Sequence, residues 1–190
     1  MKLEIEYIKI EKLKRVALIP PYASWSSIIL NGEYVSFSCI YDTVGEIIKS
    51  FENYLHFDNF MQPFTIELER EGGPITFLTV SENFVYFEEL TDSADSKKLN
   101  LYQFTDKFTI YDFMNSLLSS INTNVEKWVK DDYLGVTFTT IINIEEELEK
   151  EEYQKELIRL VKNYISRLSK EITKAKITYT EKYNENIEEE

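Results

Sequence analysis

The stretch WSSIILNGEYVSFSCIY, Trp25 to Tyr41, decides the fold class. Asn31-Gly32 stands between two β-rich runs, and a two-residue type I′ turn needs positive φ at both central positions, which these two residues adopt at least cost. The spacing predicts a hairpin of Trp25–Leu30 against Glu33–Tyr41. Directly after it, Thr43-Val-Gly-Glu46 has the form of a capping box, and Val44, Ile47, Ile48, Phe51, Tyr54 and Leu55 recur at helical spacing. An amphipathic helix is expected to open near Thr43.

Upstream, Leu3 to Ile10 alternates as a strand with one wet face, and Pro20-Pro21 is expected to stop any regular element. Downstream, Phe64, Ile66 and Leu68 alternate with Thr65, Glu67 and Glu69. The turns Glu71-Gly72-Gly73-Pro74 and Ser81-Glu82-Asn83 then separate Ile75–Val80 from Phe84–Leu90, which predicts an antiparallel meander. Thr91–Lys98 shows no periodicity and reads as a polar loop, followed by a short strand over Leu99–Phe104. Thr109-Ile-Tyr-Asp112 opens a second helix with Phe113, Leu117, Leu118, Ile121, Val125 and Trp128 along one side, and Val136 to Ile144 alternates as a further strand.

From Glu145 the composition turns to long charged side chains with a narrow apolar stripe of Leu157, Val161, Tyr164, Leu168 and Ile172. A narrow stripe suits a helix buried on one face only, packed in cis or against a partner helix. The expected architecture is α+β: an antiparallel sheet of the hairpin and the meander, two amphipathic helices packed on it, and a long C-terminal helix. In domain terms this is a single domain over 1–144, a charged helix over 145–176 that packs on it or extends from it, and an acidic tail over 177–190.

Five Gly and four Pro in 190 residues leave no room for a flexible linker or a Pro-rich tract, and 12 Phe with 13 Tyr supply enough apolar surface for a real core. The N-terminal segment has acids at Glu4, Glu6 and Glu11 in place of an uninterrupted apolar stretch, so a cytoplasmic chain without membrane segments is expected. A single Cys39 inside a strand pattern reads as packing, and the lone His56 reads as a surface or structural residue.

Chemistry finds little footing. One Cys and one His cannot make a four-ligand zinc site, and no Gly-rich phosphate loop or G-x-S-x-G turn is present. Asp58, Glu67 and Glu69 resemble in placement the acids of a metal-dependent nuclease, but Arg70 stands where a lysine is wanted and Glu67 and Glu69 read better as a solvated strand face. No catalytic residue, metal site or cofactor is expected.

The net charge of −13 is uneven: Met1–Arg15 carries +2, Val16–Lys130 −9 and Asp131–Glu190 −6. Such a field repels a phosphate backbone, so direct nucleic-acid binding is not expected. Lys9, Lys12, Lys14 and Arg15 form the one basic cluster and read as the solvated face of an edge strand. The acids Glu67, Glu69, Glu71, Glu88, Glu89, Asp92 and Asp95 fall in and around the meander, where one negative face would steer a basic protein toward it. The expected function is therefore a non-enzymatic acidic inhibitor, in the manner of immunity proteins or phage anti-defence proteins. Its partner would be a basic toxin, nuclease or defence enzyme, met at a nucleic-acid-binding surface. The alternative is an accessory subunit that docks, or pairs with a second copy, through the C-terminal helix.

Overall fold

The computed structural model describes residues 4–23, 25–39, 41–56, 62–68, 75–90, 96–130, 138–144 and 149–188, with backbone alone for 4–9, 90, 96–99 and 182–188. Eight strands and three helices follow one another as β1 (Glu4–Lys12), β2 (Val16–Tyr22), β3 (Trp25–Leu30), β4 (Glu33–Ser38), α1 (Thr43–His56), β5 (Phe64–Leu68), β6 (Thr76–Val80), β7 (Phe84–Leu90), β8 (Ser96–Gln103), α2 (Ile110–Lys130) and α3 (Lys150–Glu188). The class is α+β.

Where one sheet was expected, the strands divide into two: β1-β8-β7-β6-β5 and β2-β3-β4. The hairpin has Leu30 opposite Glu33, with φ of 51° at Asn31 and 100° at Gly32, as the Asn-Gly signal requires. The meander β5-β6-β7 is antiparallel throughout, and β1 closes the larger sheet by pairing in parallel with β8.

Pro20 and Pro21 do not stop the chain; they lie inside β2. The strand is at the edge of its sheet, and its register with β3 slips between Ile19 and Tyr22, so the missing N–H groups cost no ladder bond. Ser26 Oγ donates to the Ile19 carbonyl at 2.6 Å across that slip. Ser96–Lys98, expected as loop, belong to β8, because β7 on one side and β1 on the other satisfy their backbone; the register sets Lys98 opposite both Glu89 and Glu6.

The two sheets share a core with α1 and α2. From the large sheet come Ile66, Leu68, Leu78, Val80, Val85, Phe87 and Tyr102; from the small one Val16, Leu18, Ile28, Leu30 and Phe37. Phe51 of α1 and Phe113 of α2 meet edge to face at 6.2 Å, and each also takes a ring of the large sheet side, Phe64 at 5.9 Å and Phe104 at 5.9 Å. Tyr102 spans the sheets by donating its hydroxyl to Glu33 at 2.6 Å.

The stripe of α3 is buried in cis: Leu157, Val161, Ile165, Leu168 and Ile172 are in the core, and Tyr164 is half-buried. α3 runs antiparallel to α2, as the pairs Lys162–Glu126, Ser169–Asn115 and Lys176–Asp112 show, and it meets α1 where Tyr164 and Arg167 donate to Glu52 at 2.6 and 2.9 Å. Helix continues from Ile177 to Glu188, where an acidic tail was expected.

The strand expected over Val136–Ile144 is absent over its described part. Phe138–Ile141 form a turn instead, with fully buried Phe138 at a φ of 67°. The reason is Asp42. Its Oδ1 accepts the N–H of Phe138 at 2.7 Å, and its Oδ2 accepts the N–H of Thr140 at 2.7 Å. Oδ1 also accepts the N–H of Gly45 at 2.9 Å, so Asp42, one residue before the expected Thr43, is the N-cap of α1. Glu46 does not close a capping box; its carboxylate accepts the Thr140 hydroxyl at 3.4 Å. Burial pushes the Asp42 carboxyl above its ordinary range, against the pull of the N–H donors of Thr140, Phe138 and Gly45.

At α2, Asp112 takes the reciprocal half of a capping box, accepting both the N–H and the hydroxyl of Thr109 at 2.9 Å. Burial raises its carboxyl, but the Lys176 ammonium and the Thr109 donors outweigh that and hold it below the ordinary value of 3.8.

A Cβ on Gly45 would clash with the Asp42 carboxylate, so Gly45→Ala should cost about 2 kcal/mol or more by urea denaturation. In an Asp42→Ala background the same change should cost little, since its damage acts through that carboxylate; equal costs in both backgrounds would sink this account. The lowered Asp112 carboxyl contributes stability above the unfolded value of 3.8 that is lost as pH falls through the folded one. The melting midpoint of Asp112→Asn should lie below that of the parent at pH 7, and the gap should close below about pH 4.

Candidate interaction face

Strand alternation gives the large sheet a second face, turned away from the core. Its Cα register runs Thr65–Thr79–Tyr86–Leu101–Ile10 in one row and Glu67–Phe77–Glu88–Leu99 in the next. Glu67 and Thr65 are exposed while Ile66 and Leu68 between and beside them are buried, which fixes the direction of both rows. On this face Phe77, Tyr86 and Leu101 are half-buried, Thr79 is buried and Ile10 is 60% exposed.

Phe84 and Tyr86 stand with ring centroids 5.8 Å apart at one end. A centre of aromatic and aliphatic side chains with a carboxylate on either side of Phe77 is the anatomy of a protein-binding surface: large flat groups that desolvate cheaply, and a charged rim that selects the partner. The hydroxyls of Thr65 and Thr79 hydrogen-bond each other at 2.9 Å, which keeps the row level beside them.

Of the acids expected to form one negative face, Glu67 and Glu88 share this surface. Glu89 does not: it pairs with Thr76 and Lys98, in register with buried Leu68, and so faces the opposite way. Consecutive strand residues point to opposite faces, so Glu88 and Glu89 never act together. Glu69, Glu71, Asp92 and Asp95 lie outside the described residues, as does Asp58. Sequence reasoning missed Phe77, Tyr86 and Leu101, because aromatic residues in a strand read as core until the covering helices are placed. It likewise missed Tyr22 and Trp25, which are 85% and 38% exposed at the far end of the small sheet.

Among the described residues no group of three His, Cys, Asp or Glu could hold a metal ion, and no helix is long and apolar enough to cross a membrane. His56 sits at the end of α1 against Glu171 at 3.0 Å, and Cys39 packs half-buried beside the core. No protein-family model matches the chain, and no curated protein or solved structure matches it.

Because Glu67 and Ile10 touch no core, Glu67→Lys and Ile10→Ser should each change unfolding free energy by no more than about 0.5 kcal/mol. Leu78→Ala, on the buried side of the same sheet, should cost about 2–5 kcal/mol in the same urea titration. A core-sized loss from Glu67→Lys would show that the face is covered.

Proposed function

We propose that the chain acts by binding, as an acidic inhibitor that occupies a basic surface on another protein with the outer face of its large sheet. The observation that carries this reading is the Glu67–Phe77–Glu88 row beside Tyr86, Leu101 and Ile10, on a chain of net charge −13. Charge draws a basic partner in and sets the encounter rate; the aromatic centre then supplies the short-range contact that slows release. A toxin, nuclease or defence enzyme presents such a basic surface wherever it holds nucleic acid, and a protein seated there excludes the substrate without chemistry of its own. The subunit reading draws no support from α3, since its apolar stripe is spent on α1 and α2.

Affinity capture from the native cell, followed by kinetics on the purified pair, tests this. The captured partner should be basic, and association should slow by about tenfold or more between low and high salt. Glu67→Lys should slow association and Phe77→Ala should speed release, both without unfolding the protein. Recovery of the free protein alone, or a partner whose binding ignores both substitutions, would remove the proposal.

A further inference from the structure

A groove of about 700 Å³ lies where the end of β1 crosses to the small sheet. Its floor is the cross-strand row Ala17–Ile29–Tyr34 on the outer side of that sheet, and its wall carries Lys12, Lys14 and Arg15. Three cations therefore converge on one groove in a chain whose net charge is −13.

The wall is held in place by the hairpin turn. Asn31 Oδ1 accepts the N–H of Lys14 at 2.9 Å and of Arg15 at 3.3 Å, and its Nδ2 donates to the Lys12 carbonyl at 2.9 Å. Asn31 N–H in turn donates to the Arg15 carbonyl at 2.9 Å, and Leu13 between the cations is buried with its N–H on the Gln103 carbonyl at 2.7 Å. The backbone of the groove is thus preorganised while the side chains of Lys12, Lys14 and Arg15 remain exposed. Among the described residues none of the three forms an ion pair; the one acid in the lining, Glu11, accepts from Asn31 Nδ2 at 3.4 Å.

We propose that this groove binds a phosphate-bearing nucleotide, with the phosphates on Lys12, Lys14 and Arg15 and the base on the ring of Tyr34. Arg15 offers a planar fork and the two lysines point charges, a set that neutralises a diphosphate. Tyr34 is 64% exposed and continues the cross-strand row of Ala17 and Ile29, which gives a flat base a surface that phosphate alone cannot use. The volume suits a small ligand. A duplex is disfavoured, because its further phosphates would lie in the acidic field of the rest of the molecule, whereas a nucleotide meets the cations alone.

Titration calorimetry of the full chain at about 50 mM salt, with inorganic pyrophosphate, ADP and a short DNA duplex as probes, tests the assignment. ADP should bind about fivefold or more tighter than pyrophosphate. Tyr34→Ala should erase that difference and leave pyrophosphate binding in place. The double variant Lys14→Glu with Arg15→Glu should weaken ADP by about tenfold or more, with its melting curve unchanged because both side chains are exposed. The proposal is overturned by no heat from ADP, by pyrophosphate binding as well as ADP, by undiminished ADP binding in the double variant, or by tighter binding of the duplex.

Discussion

The carboxylate of Asp42 is the point on which the rest of the structure depends. A carboxylate drawn partly out of water is costly in isolation, and its cost is offset only if its lone pairs are taken by well-placed donors. Here three backbone N–H groups and the Thr139 hydroxyl converge on it from two segments almost a hundred residues apart. One end of the interaction starts α1; the other turns the chain after α2, holds Phe138 in a left-handed conformation and seats its ring in the core. Non-glycine residues favour that conformation poorly, so the strain at Phe138 is carried by the donors it frees for Asp42. Gly45 completes the arrangement by leaving the carboxylate room to approach.

What was legible in the sequence is what is local. Asn31-Gly32 specifies its turn through backbone conformation alone, and the apolar spacing of α1, α2 and α3 survives any tertiary arrangement because each helix buries one face wherever it goes. The failures share a cause. Pro20-Pro21 reads as a stop unless the strand is known to be an edge, and Ser96–Lys98 read as loop unless β1 and β7 are known to flank them. The alternation of Val136–Ile144 was real as a pattern, yet the half-buried carboxylate of Asp42 offered the N–H groups of Phe138 and Thr140 a better partner than a neighbouring strand. Parallel pairing of the first strand with the last is non-local and leaves no trace in either segment.

The candidate face shows the same division. Period-two alternation was enough to put Glu67 outward, and applied to β7 it separates Glu88 from Glu89 without any structure. It does not say which strands stand beside β6, and the outer row exists only because β7 brings Tyr86 beside Thr79 and β8 brings Leu101 beside Tyr86. Pooling acids by position along the chain therefore put Glu89 on the wrong face and passed over the apolar centre. The helices differ again: Glu52 answers Lys49 and Arg167, and Asp112 answers Lys176, so these two acids are spent on internal pairing.

The basic cluster illustrates why net charge is a poor guide to a site. A long-range field of −13 governs which macromolecules approach, but at ordinary salt it decays over about 8–10 Å, so a small anion inside a groove responds to the nearest cations. Ile10 ends the aromatic row and Lys12, two residues further along β1, begins the groove. Their Cα atoms are about 7 Å apart along a strand, within one screening length. The aromatic surface and the cationic one are thus neighbours on a single edge strand, and charge brought to either is felt at the other.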